Sequence, residues 1–248
     1  MILTAQRKTR RPAARTTPPT RARRAAARAP GRQPAVDQRV VILEAAERLC
    51  GERGLEAVSV REIAAAARVN VAAINYYFGT RQNLLVTIFK TRGAEIDAER
   101  ETLLAPLLAD PHPRLRDILR AMLTPLARWR LPDSPRRPAL QFLCRALTAT
   151  DVDIREAADA GVARFRRVVH ALQRALPHLG FEELCWRFHF MMSIEHMNPW
   201  DVDRLLVLSD GRCRAGDFEE SLERAIDFAE AGFLAPARFP TFPPNANA

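Results

Sequence analysis

Residues 71–77 read Val-Ala-Ala-Ile-Asn-Tyr-Tyr, and Arg81 follows four positions later. The chemistry open to this set is recognition rather than bond making. Val71, Ala72 and Ala73 leave little bulk between a helix backbone and a base edge, and their methyls can meet thymine methyls. Tyr76 and Tyr77 carry hydroxyls on rigid rings, suited to phosphate oxygens at a groove wall. Asn75 either reads adenine through two hydrogen bonds or bonds locally. Arg81, with Ser59 and Arg61 upstream, is placed to grip the phosphate backbone.

Such residues act together only if short helices hold them. Ile42, Ala45, Ala46 and Leu49 fall at i, i+3, i+4 and i+7, one face of a first helix, and Gly54 stops it. In Ser59-Val60-Arg61-Glu62 the serine can cap a second helix while the glutamate reaches back to its amide, a capping box. Asn70 offers a further N-cap, so the second helix has about two turns. A third follows to Tyr77, and a fourth turns Leu84, Leu85 and Ile88 inward. Two short helices across a tight turn form a helix-turn-helix, whose second helix enters a DNA major groove N-terminus first. Ile74 and Phe78 would anchor that helix from behind, with Val69 under the turn.

No strand-like alternation of any length occurs in the 248 residues, so the fold class is all-α. Proline-rich breaks at 110–113, 131–138, 177–180 and 198–201, with a glycine-containing break at 209–217, divide the rest into longer helices, about nine in all. The expected organisation is a disordered basic tail (1–36), a DNA-binding domain (37–86), a larger helical domain (87–238), to which the family resemblance given below assigns effector binding and dimerisation, and a disordered end (239–248).

The net charge of +9 belongs to the tail. Residues 1–36 hold ten of the 38 Lys+Arg and no acid, which leaves 28 against 29 Asp+Glu in the body. The tail is rich in Pro, Ala, Arg and Thr and too poor in large apolar residues to offset the entropy of ordering. It either adds sequence-blind DNA affinity or is a solvated extension. No apolar run approaches the ~20 residues of a membrane span. The four cysteines, Cys50, Cys144, Cys185 and Cys213, lie far apart without a Cys-x-x-Cys pair, which argues against a disulfide framework or zinc site. His189 and His196 share a helix face but are separated by roughly 10 Å of rise, so one ion cannot take both unaided. No cofactor or metal is expected.

Residues 40–86 resemble the amino-terminal domain of the TetR/AcrR family of bacterial repressors. The resemblance rests on Ala45-Ala46 in the first helix, Gly54 before the second, Ile63-Ala64 within it, the tyrosine-rich end of the third, and Phe78 three residues ahead of Arg81. Arg68 departs from it where the family usually has glycine in a positive-φ turn; Asn75 departs where tyrosine is commoner. The resemblance implies a homodimer that places two reading helices in successive grooves of a palindromic operator, and a second domain that binds a small effector. Residues 175–197 and 208–237 more loosely resemble the ligand domains of fatty-acid-responsive PsrA-type members, which implies an acyl effector, a fatty acid or acyl-CoA. Trp186, Phe190 and Met192 are the expected contacts within a pocket between the helices of residues 100–200, with Arg187 or His189 meeting a carboxylate or thioester head.

The leading reading is therefore a ligand-released transcriptional repressor of the bacterial cytoplasm, associated with the nucleoid. One alternative is an architectural DNA binder that works through the basic tail. The other is an acyl-processing enzyme, against which stands the lack of a nucleotide-binding glycine loop, a nucleophile elbow or a credible triad.

Overall fold

The computed structural model describes residues 37–149, 151–197, 202–213 and 218–238, and among these not the side chains of 194–197 and 202–204. The expected tail (1–36), the end (239–248), the break at 198–201 and the His196 side chain lie outside the described residues.

Among the described residues there are eleven α-helices, one 3₁₀ turn and no strand. Helix α1 (Gln38–Arg53) starts from Asp37, whose side chain accepts the Arg39 amide, and stops at Gly54 with φ 99°. Helix α2 (Val60–Ala67) begins with the expected capping box: Ser59 Oγ accepts the Glu62 amide at 3.3 Å, and Glu62 Oε2 accepts the Ser59 amide at 2.8 Å. Helix α3 (Val71–Phe78) is capped by Asn70, which accepts from the Ala72 amide at 2.9 Å. Helix α4 (Arg81–Ala109) starts from Thr80 and runs unbroken through residue 86. Helices α5 (Leu115–Trp129) and α6 (Arg137–Thr148) follow, separated at the proline-rich breaks.

The sequence breaks undercount the next stretch. Residues 137–175 form not one helix but α6, α7 (Val152–Val162), the 3₁₀ turn Ala163–Phe165 and α8 (Arg166–Ala175). The α6–α7 break contains neither Pro nor Gly; it is made by Asp151, whose carboxylate caps α7 by accepting the Ile154 amide at 3.0 Å. Helices α9 (Phe181–Met197), α10 (Val202–Leu208) and α11 (Phe218–Leu234) complete the chain.

Two cores divide these elements. One joins Ile42, Ile63, Ile74 and Leu84 of α1–α4 to Phe142 and Leu140 of α6 and Trp129 of α5. The other joins Leu119 and Met122 of α5 to Leu172 of α8, Leu184 of α9 and Phe233 of α11. The first core matters for position. It seats the short helices against α6 rather than leaving them on a linker, and burial of each large side chain contributes on the order of 1.5–3 kcal/mol. At Gly51 the α1 and α6 backbones touch: a Cβ there would lie 3.0 Å from the Pro138 carbonyl oxygen and 3.2 Å from the Phe142 nitrogen.

Candidate functional site

The turn between α2 and α3 is built around Arg68, which adopts φ 54° and ψ 41°, a left-handed conformation. That geometry costs a non-glycine residue about 1 kcal/mol. It is held by the Arg68 amide donating to the Ala65 carbonyl and by the Val69 amide donating to the Ala64 carbonyl at 3.0 Å. The arginine therefore accepts the glycine-like turn rather than reshaping it.

Helix α3 buries Ile74 and Phe78 against the first core and turns Ala72, Asn75 and Tyr76 outward on one face. Tyr76 is 82% exposed and Tyr77 38%, their rings edge to face at 5.1 Å. This gives a small, flat-floored helix face ended by two hydroxyls, the shape a groove-reading element requires. Arg61 is exposed near the start of α2.

Four expected contacts change in detail. Val71 and Ala73 are half-buried and pack on the core, so Ala72 alone of the three small residues faces outward. The Ser59 hydroxyl is committed to Glu62, donating to its carboxylate at 2.8 Å. The Ser59 amide first, then that hydroxyl and the Arg53 guanidinium at 2.8 Å, hold the Glu62 carboxyl well down, at about 2. Arg81 does not reach outward as expected: its Nε donates to the Val58 carbonyl at 2.9 Å and its Nη2 to the Leu55 carbonyl. It ties α4 to the α1–α2 loop, a role invisible in sequence because the partners lie more than twenty residues away. Arg39 was not singled out by the sequence, yet its guanidinium lies 5.6 Å from the Phe78 ring centroid, beside the end of α3.

The residues expected to meet an effector divide. His189 and Met192 line a cavity of about 770 Å³, together with Phe89, Ile96, Leu143 and Phe188. Its walls come from α4 to α9 with the 3₁₀ turn, so it begins at residue 89 rather than 100. Trp186 and Phe190 are not in it. They are 55% and 57% exposed and stack on each other at 5.8 Å, because their i, i+4 spacing sets them on the outer face of α9. Arg187 is buried and fully engaged: it pairs with Glu183 and donates to the Gly232, Phe233 and Ala235 carbonyls, closing the C-terminus of α11. No three His, Cys, Asp or Glu among the described residues converge as a metal set.

The helix-turn-helix followed by a cavity-bearing helical bundle has a counterpart among known proteins. Residues 42–88 match the family model of bacterial regulatory proteins of the tetR family, and residues 120–232 match that of the tetracyclin repressor-like C-terminal domain. The chain belongs to the TetR family. Solved TetR structures share the fold. The regulator PfmR from Thermus thermophilus is 20% identical, with a TM-score of 0.54 over 79% of this chain and 99% of that one. A TetR family regulator from Marinobacter aquaeolei VT8 is 20% identical, with a TM-score of 0.58 over 79% and 94%. A TetR-like regulator from Rhodococcus sp. RHA1 is 18% identical, with a TM-score of 0.57 over 82% and 96%. No curated protein matches the chain. TetR proteins are DNA-binding transcriptional regulators, not enzymes, so this chain is a regulator. No described helix is long and apolar enough to cross a membrane.

Proposed function

We propose that this TetR regulator is a homodimeric repressor of the bacterial cytoplasm that binds a palindromic operator and is released by a largely apolar effector, a fatty acid or acyl-CoA. The observation that carries it is the cavity of about 770 Å³, lined mainly by apolar side chains on helices that share a core with the reading unit. A cavity of that size suits a small ligand held chiefly by burial. Residues 37–86 read DNA in this view, residues 87–238 hold effector and partner, and α4 belongs to both. The contacts to DNA are Ala72, Asn75, Tyr76, Tyr77 and Arg61. The tail of residues 1–36 adds affinity for any duplex through its ten cations.

Dimerisation is supported by α9 and α11, which pack together and leave Trp186, Phe190, Phe228 and Leu234 exposed. Apolar side chains of that size on neighbouring helices fit an interface core. A single eight-residue reading helix offers few base contacts, and two copies one helical turn of DNA apart, ~34–36 Å, supply the rest.

The test is operator release. DNA that co-purifies with the protein gives the operator, and fluorescence anisotropy follows its release on titration with long-chain fatty acids and their coenzyme A thioesters. Release by either supports the acyl effector. If neither acts and a compact polar metabolite does, the acyl assignment is wrong. If unrelated DNA competes as well as operator, the chain is a sequence-blind binder instead.

A further inference from the structure

The cavity lining also carries charge, and the charges are arranged unevenly. Lys90, Arg100, Arg164 and Arg166 line it against only Asp97 and Asp159. Asp97, on α4, lies between two guanidinium groups: Arg164 Nη2 is 2.9 Å from Oδ2, and Arg100 Nη1 is 3.8 Å from Oδ1. The two arginines differ in freedom. Arg100 is buried, and its Nε donates to the Met122 carbonyl of α5 at 3.2 Å. Arg164 is half-exposed on the 3₁₀ turn and lies over the Phe165 ring at 4.8 Å. Its guanidinium rests against Gly161, where an added Cβ would lie 2.1 Å from Nη1 and push the guanidinium aside.

Resting on the reading of this cavity as the effector site, we propose that the effector is an anionic amphiphile whose head group replaces Asp97 on Arg164. The apolar body lies against Phe89, Phe188 and Met192, while the acidic head meets the half-exposed one of the two arginines that flank Asp97. A guanidinium takes a carboxylate or phosphate through two parallel hydrogen bonds, so carboxylate exchange keeps its pairing. Burial pushes the Asp97 carboxyl above its ordinary value even with Arg164 and Arg100 beside it. Exchange also removes one of the ties between α4 and the 3₁₀ turn, the other being Arg100 over the Phe165 ring at 5.8 Å, and α4 is the helix that begins at the DNA-reading unit.

The experiment is calorimetric titration of the full chain with three probes sharing one tail, dodecanoate, dodecanol and dodecyltrimethylammonium, all below their micelle-forming concentrations. Dodecanoate should bind about tenfold or more tighter than dodecanol, as expected of a charge-assisted pair, and the ammonium no better than the alcohol. Arg164→Gln should bring dodecanoate down to the dodecanol value and leave dodecanol unchanged. Asp97→Asn removes the competing carboxylate and should tighten dodecanoate severalfold. Gly161→Ala, which unseats the guanidinium but keeps its charge, should tighten it likewise. An unchanged dodecanoate preference in Arg164→Gln, weaker binding in Asp97→Asn or Gly161→Ala, or best binding by the ammonium overturns the exchange. Equal binding of acid and alcohol also overturns it while leaving the apolar-effector reading intact. Failure of all three probes to bind removes both.

Discussion

Replacing Arg81 by alanine should destabilise the DNA-reading unit without altering how DNA affinity depends on salt. The Arg81 side chain donates to the carbonyls of Val58 and Leu55, and both partner residues are buried in the loop between α1 and α2. A hydrogen bond from a charged donor contributes ~1.5–3 kcal/mol, and Arg81 is half-buried, so the low end applies and the pair is worth about 3 kcal/mol. That is a large share of the ~5–15 kcal/mol by which a domain is stable. Urea unfolding followed by circular dichroism should show a lower midpoint with an unchanged slope against denaturant. Anisotropy titrations between about 50 and 200 mM salt should give the wild-type log–log slope. A phosphate contact predicts the reverse: stability within ~0.5 kcal/mol of wild type and a slope smaller by about 1. Finding that reverse pair would refute the structural role. Arg81→Lys keeps the charge but not the fork, and should lose part of the stability with no change in slope.

Tyr77→Phe should weaken binding to all duplexes alike with an unchanged salt slope, since no charge is lost; Ala72→Leu should abolish operator preference while the unfolding midpoint stays put, because Ala72 faces outward. Ser59→Ala should cost about 1 kcal/mol by denaturant unfolding. The Glu62 carboxyl is held at about 2 against an ordinary 4.5, so its capping contribution is complete above about 4.5 and is lost as pH falls through about 2; Glu62→Gln should flatten that part of the acid-unfolding curve. Gly51→Val should push α6 from α1 at a cost of ~1–3 kcal/mol, read as a lower melting temperature.

The local features were legible in the sequence because their causes are local. Ser59 with Glu62, Asn70 and Gly54 announce helix ends through hydrogen bonds spanning two to four residues, and all three mark ends in the structure. The α6–α7 break was missed because Asp151 resembles any surface acid until the helix it caps is known. Arg81 and Arg187 were misjudged for a different reason. An arginine near a helix start or on an apolar helix looks available for phosphate or ligand, yet their carbonyl partners lie 23 to 48 residues away. Trp186 and Phe190 show the complementary error. Helical periodicity sorts side chains by face but does not say which face meets a cavity and which meets solvent or a partner.

In the proposed reading, DNA binding and effector binding share material rather than communicating across a joint. Helix α4 has 29 residues, about 44 Å at the helical rise, and Asp97 lies about 24 Å along it from Arg81. At the Arg81 end, Gln82 donates to the Asp151 carboxylate at 2.6 Å, and that carboxylate caps α7, a wall of the cavity. Arg145 of α6 donates to the Gly51 carbonyl at 2.7 Å and to that of Glu52, closing the end of α1. A tilt of about 5° at the cavity end would carry the start of α4 by roughly 2 Å. The reading helix would travel with it, since Ile74 and Phe78 are locked into the same core as Leu84 and Leu85. In a dimer both protomers shift, against a half-site spacing of ~34–36 Å that DNA does not relax to match. Packed cores respond to such strain by switching arrangement rather than deforming smoothly, so a ligand need alter only a few contacts on α4, α6 or α7 to misplace the reading helices.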